Sequence, residues 1–424
     1  MTVEHSTHRR FRLVAAVTVM ICALALGGCG FTGDSSHAES DGNAPSPTTL
    51  PSPSPGGSSP GGSSASSDLH RAAVPGVDNS PGAQAQRTIR HLSVAQQIGQ
   101  LVMAPLPAGH AASGLQNLIT NRYVGSVLIT GNWNTGIPSV RQATATLQNY
   151  APTNLGLLTA TDQEGGEVQH LRGAGFTAMP SAVAQGTMSF ERLRSNAAIW
   201  GAQLNQAGIN VNLAPVTDTV QGNRASNAPI GALNRDFGLD ASGNAAHAEA
   251  FIDGMRDAGV QSVIKHYPGL GAVTGNTDFT TQGIEDDTTT LGSPQIGAFT
   301  TALQAHPAMV MMSLATYAAI DRSQPAAFSS TLISGQLRGE SGYQGVVISD
   351  SLSATALNGT ATDQLGVRLI EAGGDMACIS VLDDVGPVLD GLNAKAAGDP
   401  AFAAKVRQSA IRVLTLKYQM GLAH

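Results

Sequence analysis

The chain has little charge, few aromatic side chains and few cysteines, and each shortage excludes a class of protein. Of its 424 residues, 12% are charged and 4% are aromatic, whereas about 25% are charged in an average globular protein. The net charge of −7 comes without a block of basic residues, which argues against nucleic acid as a partner. Three cysteines are too few for a disulfide scaffold. With 42% hydrophobic residues, the composition favours a soluble domain with a sizeable core over a coiled coil or a disordered chain.

The first 28 residues have the pattern of an export signal. Arg9, Arg10 and Arg12 precede an apolar run over residues 13–26, which is too short to span a membrane comfortably and has the proportions of a secretory signal. The run ends in LGGC, which resembles a bacterial lipobox with Cys29 as the acylated residue. We therefore predict a lipoprotein signal peptide over residues 1–28 and a lipid anchor on the outer face of the cytoplasmic membrane. An ordinary signal peptide with an incidental cysteine is the alternative.

The segment between this signal and the folded part is predicted to be a tether. From residue 44 to residue 67, proline, glycine and serine account for 19 of 24 residues. Such a segment buries too little apolar surface to offset the entropy of ordering. We assign residues 29–85 to a flexible tether and residues 86–424 to a single catalytic domain. The membrane is then contacted through the lipid anchor only.

Apolar runs and helical stretches alternate along residues 86–424, which predicts repeated β/α units. The predicted strands cover residues 101–104, 124–130, 155–160, 209–214, 260–265, 309–314, 345–349 and 376–380. The helical stretches 189–207 and 245–258 are followed by Gly208 and Gly259, residues that fit left-handed helix ends. Eight such strands predict a (β/α)₈ barrel of the TIM type. An open doubly wound sheet is the alternative, but the first strand is not followed by a glycine-rich phosphate loop.

Polar residues follow several of the predicted strands, where a barrel of this type places its active site. The third strand leads into DQEGG at 162–166, the fourth into APVTD at 214–218, the fifth into KHYPG at 265–269, and the seventh into Asp350. A helix N-cap or a buried core histidine is the simpler explanation for any one of these residues. Together, carboxylates and cationic donors without a zinc-type spacing suit glycoside chemistry, with no metal or cofactor. Cys378 lies in an apolar run, where a buried, inert thiol is expected.

These segments also resemble the signature segments of glycoside hydrolase family 3. The similar segments are DQEGG at 162–166, NLAPV at 212–216, RDFG at 235–238, KHYPG at 265–269, VISD at 347–350 and AGGDM at 372–376. Their order and spacing together are specific, and the resemblance covers roughly residues 90–420. It is strongest to the single-domain β-N-acetylglucosaminidases of NagZ type.

The resemblance implies a role for each residue that matches a family segment. Asp350 matches the nucleophile, which forms a covalent glycosyl-enzyme. Lys265 and His266 match the pair that binds sugar hydroxyls next to the scissile bond, and Asp162 matches the carboxylate that binds the non-reducing end. Arg235 matches a substrate-binding arginine. The simpler alternatives are a helix N-cap for Asp350 and a surface ion pair for Arg235.

Two positions depart from the family pattern. Where the family has Asp-Ser-His, with the histidine as acid/base on a mobile loop, this chain has NTD at 276–278. Asp278 is therefore the candidate acid/base and Asn276 takes the place of its partner; three glycines between residues 269 and 278 would let the loop close over a sugar. The second departure is His170 where the family has an arginine, with Arg172 as a nearby substitute for substrate binding.

The resemblance predicts a retaining exo-β-N-acetylglucosaminidase that acts on peptidoglycan-derived fragments. A family 3 β-glucosidase or β-xylosidase is one alternative, although such enzymes often take their acid from a further domain. A non-catalytic sugar-binding lipoprotein that has lost the acid is another, because of the sequence at residues 276–278. Hydrolysis assisted by the substrate's acetamido group is a weaker alternative, because no Asp-x-Glu pair stands at a strand end.

Overall fold

The computed structural model of the protein describes residues 78–424. The predicted signal peptide, Cys29 and most of the predicted tether therefore lie outside the described residues. Helix α1, Pro81–Thr88, begins within the segment assigned to the tether, so helical structure crosses the predicted boundary at residue 86. Within residues 78–424, no helix combines the length and the hydropathy needed to cross a membrane.

Parallel strands form the centre of the described part of the chain. These strands are β1 Val102–Pro107, β2 Ser126–Thr130, β3 Leu158–Thr161, β4 Val211–Asn212, β5 Gln261–Tyr267, β6 Met309–Met312, β7 Val346–Ser349 and β8 Ala377–Cys378. Each pairs in parallel with the next one along the chain from β1 to β7, and β8 pairs with β1. A parallel bridge between Ile348 and Met376 joins β7 to the start of β8. The strands thus form a nearly closed barrel, and the predicted fold is confirmed.

Helices surround this barrel. They are α1, then α2 Val94–Gly99, α3 Gln116–Thr120, α4 Ile137–Gln148, α5 Ala182–Gln185, α6 Phe190–Gln206, α7 Ala241–Asp257, α8 Pro294–Ala302, a π-helix Thr331–Glu340, α9 Thr362–Ala372, α10 Leu382–Gly398 and α11 Pro400–Gln419. Particular residues mark where α6 begins and where α6 and α7 end. The Ser189 side chain accepts a hydrogen bond from the first turn of α6, and Gly208 and Gly259 adopt positive φ just past the two helices.

The barrel strands are buried on both faces, which explains their nearly continuous apolar sequences. All four residues of β3, β6 and β7 are buried. Two short pairs lie outside the barrel: Gln163–Gly165 with Val168–Gln169, which are antiparallel, and Glu285–Asp286 with Thr316–Tyr317, which are parallel. The first of these pairs directly follows β3, so it positions the residues of the DQEGG segment.

Lys417 on α11 is a buried amine near the amino-terminal ends of β1 and β2. Its Nζ donates hydrogen bonds to Gln100 Oε1 at 2.7 Å and to the Gly125 carbonyl oxygen at 2.8 Å. Both partners are neutral, and burial lowers the pKa of Lys417 from 10.5 to about 7. Because the folded protein binds this proton less tightly than the unfolded chain does, the free energy of unfolding should rise as pH increases from about 7 towards 10.5.

We expect Lys417→Met to remove this contribution. Between pH 7 and pH 9 the wild-type protein should gain up to about 2 kcal/mol more in the free energy of unfolding than the variant gains. Urea unfolding at the two pH values measures this difference. Lys405→Met is the matched control, because Lys405 is exposed and donates to the Glu371 carbonyl oxygen. An equal gain in wild type and Lys417→Met would contradict the expectation.

Candidate active site

The carboxyl ends of the barrel strands surround a cavity of about 540 Å³, a size typical of small-molecule sites. Most of the predicted site residues line it, namely Asp162, His170, Arg235, Lys265, His266, Asn276, Asp278 and Asp350. Two of them lie on β5, two directly follow β3 and β7, and the others lie in the loops that follow β3, β4 and β5. Residues that follow different apolar strands in the sequence therefore lie around one cavity.

Three charged residues of the cavity lining, Asp162, Arg235 and Lys265, belong to a network of ion pairs around the buried Glu164. The Lys265 ammonium lies 2.6 Å from Asp162 Oδ1 and 2.6 Å from Glu164 Oε1. Arg235 binds both oxygens of Glu164, with Nη2 at 2.8 Å and Nε at 2.9 Å. Burial alone would raise the pKa of Glu164, but Arg235 and Lys265 outweigh it and hold the pKa at about 2. The network therefore stays charged and presents fixed donors and acceptors to a polar ligand.

Burial opposes the charge on both cations of this network. It would lower the pKa of Lys265, and the adjacent Asp162 and Glu164 more than reverse that effect, so the pKa is raised. Burial acts in the same sense on Arg235, and Glu164 again reverses it. Arg235 is thus part of a buried ion pair at the cavity, not of a surface ion pair. Removing Glu164 would take away the carboxylate that Arg235 binds and leave that charge poorly compensated.

Glu164 was not among the predicted site residues, although a local signal was present. It lies two residues after Asp162 in a segment that forms a short strand over Gln163–Gly165. Side chains two residues apart in an extended chain point to the same side. A carboxylate at this spacing from Asp162 is therefore expected on the same side of the chain, where it reaches Lys265.

His266 is held by a second buried carboxylate that the sequence prediction also left out. Asp218 accepts hydrogen bonds from His266 Nδ1 at 2.7 Å and from the His266 and Leu270 backbone N–H groups at 3.2 and 2.8 Å. Because a carboxylate accepts at Nδ1, that nitrogen carries the proton and Nε2 is the atom available to a ligand in the cavity. The signal was the position of Asp218 at the end of the fourth predicted strand.

Asp350 follows β7 directly, and its backbone is fixed by the neighbouring strand. Its N–H donates to the Met312 carbonyl oxygen at 2.8 Å. Its Oδ1 accepts a hydrogen bond from the Ser351 N–H, also at 2.8 Å. The side chain is partly buried and lines the cavity. This carboxylate is therefore held on a rigid strand end with access to a bound molecule.

Asp278 reaches the same cavity from the loop after β5. The loop is joined to the chain after Asp350 by two backbone hydrogen bonds, from Thr355 N–H to the Asp278 carbonyl oxygen at 3.2 Å and from Ala356 N–H to the Thr277 carbonyl oxygen at 2.9 Å. Asn276 Oδ1 accepts from the Asp278 N–H at 3.0 Å. The loop thus already places Asp278 over the cavity, and its predicted closing motion stays a prediction.

The surroundings of Asp278 raise the pKa of its carboxyl group. The side chain is open to solvent at the cavity mouth, but the protein around it displaces enough water to raise its pKa. Asp350 adds to this effect, while Arg235 and His266 oppose it, and the resulting pKa is about 6. A carboxylic acid with such a pKa keeps its proton up to a higher pH than an ordinary aspartate does. It can then donate that proton to a bound ligand.

The two residues predicted to replace the family arginine differ in position. His170 lines the cavity, with Nδ1 2.9 Å from the Gly131 carbonyl oxygen and Nε2 3.9 Å from Asp162 Oδ2. Arg172 donates instead to the carbonyl oxygens of Gln169 and Gly166, at 3.0 and 3.1 Å, and does not line the cavity. The structure therefore brings His170 to the site and leaves Arg172 outside it.

Cys378 is buried, as predicted, but it also lines the cavity. Burial, reinforced by Asp162 and Asp350, raises the pKa of its thiol, so the nucleophilic thiolate is disfavoured. Among residues 78–424, no group of three or more histidine, cysteine, aspartate or glutamate side chains is arranged to hold a metal ion.

Residues 93–416 match the family profile described as the glycosyl hydrolase family 3 N terminal domain. The chain belongs to glycoside hydrolase family 3. The resemblance inferred from the signature segments is therefore confirmed, and the protein is a glycoside hydrolase. The cavity residues from Asp162 to Asp350 all lie within the matched range.

Several proteins similar to this chain are described as hexosaminidases or glycosyl hydrolases. Beta-hexosaminidase LpqI of Mycobacterium tuberculosis is 32% identical over 342 residues, which is 77% of this chain and 83% of that protein. The crystal structure of a beta-N-acetylhexosaminidase from Beutenbergia cavernae is 42% identical, with a TM-score of 0.73 over 78% of this chain and 99% of that one. An uncharacterized secreted glycosyl hydrolase of Arthroderma benhamiae is 29% identical over 295 residues, which is 68% of this chain and 82% of that protein.

Proposed function

We propose that the protein is a retaining exo-β-N-acetylhexosaminidase that removes terminal β-linked N-acetylglucosamine. The observation that carries this proposal is the presence of Asp350 and Asp278 at one cavity, the second with its pKa raised to about 6. A glycosidase needs one carboxylate that is ionised and one that is protonated. The sugar specificity is supported by the similar proteins described as hexosaminidases.

In the first step, a carboxylate oxygen of Asp350 attacks the anomeric carbon and the bond from that carbon to the leaving oxygen breaks. Asp278 donates its proton to the leaving oxygen, which departs as an alcohol, and the sugar stays bound to Asp350 as an ester. In the second step, the Asp278 carboxylate takes a proton from water, the water oxygen attacks the anomeric carbon, and Asp350 leaves. Two inversions return the original β configuration.

The charged wall of the cavity would bind the sugar's hydroxyl groups. Asp162 accepts and Lys265 donates, and both are held in place by the ion pairs around Glu164. His266 offers Nε2, because Asp218 occupies Nδ1. Hydrogen bonds to charged groups are stronger than those between neutral ones, so this wall would hold one terminal sugar in a defined orientation.

We further propose that the enzyme acts outside the cytoplasmic membrane on N-acetylglucosamine-containing glycans, with peptidoglycan-derived fragments as its substrates. The support comes from the export pattern of residues 1–28 and the lipobox-like sequence that ends at Cys29. Mass spectrometry of the membrane fraction after expression in a bacterium tests the anchor. A diacylated amino-terminal peptide that begins at Cys29 is expected, and an unmodified secreted protein would contradict it.

Hydrolysis of matched p-nitrophenyl β-glycosides tests the proposed activity. We expect kcat/KM for the N-acetylglucosaminide to exceed the values for the glucoside and the xyloside by about 100-fold or more, because one polar contact to the acetamido group is worth several kcal/mol when its partner is buried. Faster hydrolysis of the glucoside or xyloside would support the alternative family 3 activity. Binding of N-acetylglucosamine without any hydrolysis would support a sugar-binding lipoprotein.

Asp218 should act on the reaction through His266. We expect Asp218→Asn to lower kcat/KM about 10- to 100-fold, because an amide no longer requires a proton on Nδ1 and His266 loses its orientation. The double variant with His266→Ala provides the decisive measurement. If Asp218 acts through His266, the Asp218→Asn change should have little further effect once the imidazole is gone. Full additivity of the two changes would contradict this role.

A further inference from the structure

Phe279 is unusual among the large apolar side chains in residues 78–424. It is 79% exposed, the highest value among the exposed large hydrophobic residues in that range, and it lines the same cavity as Asp278 and Asp350. Burying a phenylalanine side chain is worth about 1.5–3 kcal/mol relative to leaving it in water. An aromatic ring left in water at the mouth of a cavity regains this free energy only when a ligand covers it.

The position of Phe279 relative to the acid is fixed by the turn that holds both residues. Phe279 follows Asp278 directly, and its N–H donates to the Asn276 carbonyl oxygen at 3.0 Å. The same turn is joined to the segment after Asp350 through Thr355. The backbone of Phe279 is therefore fixed beside that of Asp278, and both residues line the same cavity.

A second exposed apolar side chain lines the same cavity. Val381 is 46% exposed and lines the cavity. Its N–H donates to Ser353 Oγ at 3.2 Å, and Ser351 Oγ lies 2.6 Å from Ser380 Oγ. Ser351, Ser353 and Ser380 line the cavity as well, so apolar surface and hydroxyl groups occur together there. This combination suits a ring that has an apolar face and hydroxyl groups at its edge.

We propose that Phe279 is the platform for the sugar that leaves with the glycosidic oxygen, and thus a residue that sets the preference of the enzyme for its leaving group. This inference rests on the proposed hydrolysis by Asp350 and Asp278. A proton donor must lie within hydrogen-bond distance of the glycosidic oxygen, so a ring attached to that oxygen extends over the residue beside Asp278. The C–H groups on one face of a pyranose pack against an aromatic ring, as other apolar groups do.

The test compares two substrates that differ only in the leaving group. The β-1,4-linked disaccharide of N-acetylglucosamine releases a pyranose, whereas methyl β-N-acetylglucosaminide releases methanol and offers no ring. Both leaving groups are alcohols and need the proton of Asp278. We expect Phe279→Ala to lower kcat/KM about tenfold for the disaccharide and less than about twofold for the methyl glycoside. Phe279→Trp should retain the activity on the disaccharide.

Phe190→Ala is the matched control, because Phe190 is 49% exposed but lies outside the cavity, and it should leave both substrates unaffected. An unchanged value for the disaccharide in Phe279→Ala, or an equal loss on both substrates, would overturn the platform. If the wild-type protein hydrolyses neither substrate, that result contradicts the proposed hydrolase function, and with it the role of Phe279. Hydrolysis of both substrates by wild type, with selective loss on the disaccharide in Phe279→Ala, supports both proposals.

Discussion

Replacement of Asp350 by alanine is expected to lower kcat/KM for N-acetylglucosaminides by at least about 10⁴-fold, because removal of a covalent nucleophile leaves only binding and general acid catalysis. The same change should abolish covalent labelling. A 5-fluoro derivative of N-acetylglucosaminyl fluoride destabilises the positive charge at the transition state, so the glycosyl-enzyme forms and then persists. Intact-protein mass spectrometry of the wild type should show one added glycosyl group, and peptide mapping should place it on Asp350.

The control for this substitution is Asp363→Ala, which removes an exposed aspartate from the first turn of α9 outside the cavity. That variant should keep both activity and labelling. Thermal unfolding of Asp350→Ala should stay close to wild type, since the side chain is partly buried and bonds to the Ser351 N–H. Persistent labelling of Asp350→Ala, or a label on another carboxylate, would contradict the assignment of Asp350 as nucleophile.

Replacement of Asp278 by alanine should have an effect that depends on the leaving group. An alkoxide needs a proton in order to leave, so kcat/KM for the disaccharide should fall about 10²- to 10⁴-fold. A dinitrophenolate leaves without a proton, so the formation of the glycosyl-enzyme from the dinitrophenyl glycoside should change less than about tenfold. Single-turnover kinetics with both substrates measures the difference.

The raised pKa of Asp278 also predicts a pH dependence. Only the protonated acid can donate, so kcat/KM of the wild type on the disaccharide should fall as pH rises above about 6. Asp278→Ala should lose this descending limb. Glu167→Gln is the matched control, because Glu167 is another exposed carboxylate at the cavity, and it should keep the limb. An unchanged limb in Asp278→Ala would assign the acid to another group.

The barrel could be predicted from the sequence because its signals are local. Apolar runs marked the strands, and glycines such as Gly208 and Gly259 marked the ends of helices. The predicted bounds of a strand agreed less well with the structure where the strand is short. The fourth strand was predicted over residues 209–214 but extends only over Val211–Asn212, because regular pairing there depends on neighbouring strands that the local sequence does not describe.

The candidate site could be predicted in part. The ends of the predicted strands indicate which residues lie near the cavity. They do not indicate which hydrogen-bond or ion-pair partners the side chains have there. Arg172 lies two positions after His170 and would suit a sugar, yet its guanidinium binds backbone carbonyl oxygens instead. Glu164 and Asp218, in contrast to Arg172, were not predicted as site residues but have partners in the site. Each is buried and organises a residue that was predicted, and their importance depends on contacts across 71 and 48 residues of sequence.

In the proposed mechanism, Asp350 and Asp278 hydrolyse a β-glycoside in two displacements, with Asp278 as the acid. We would measure the turnover of a dinitrophenyl N-acetylglucosaminide by Asp278→Ala with and without azide. Azide is a nucleophile that needs no general base. We expect faster turnover with azide and a glycosyl azide of β configuration, identified by nuclear magnetic resonance. A product of α configuration, or no acceleration by azide, would contradict it.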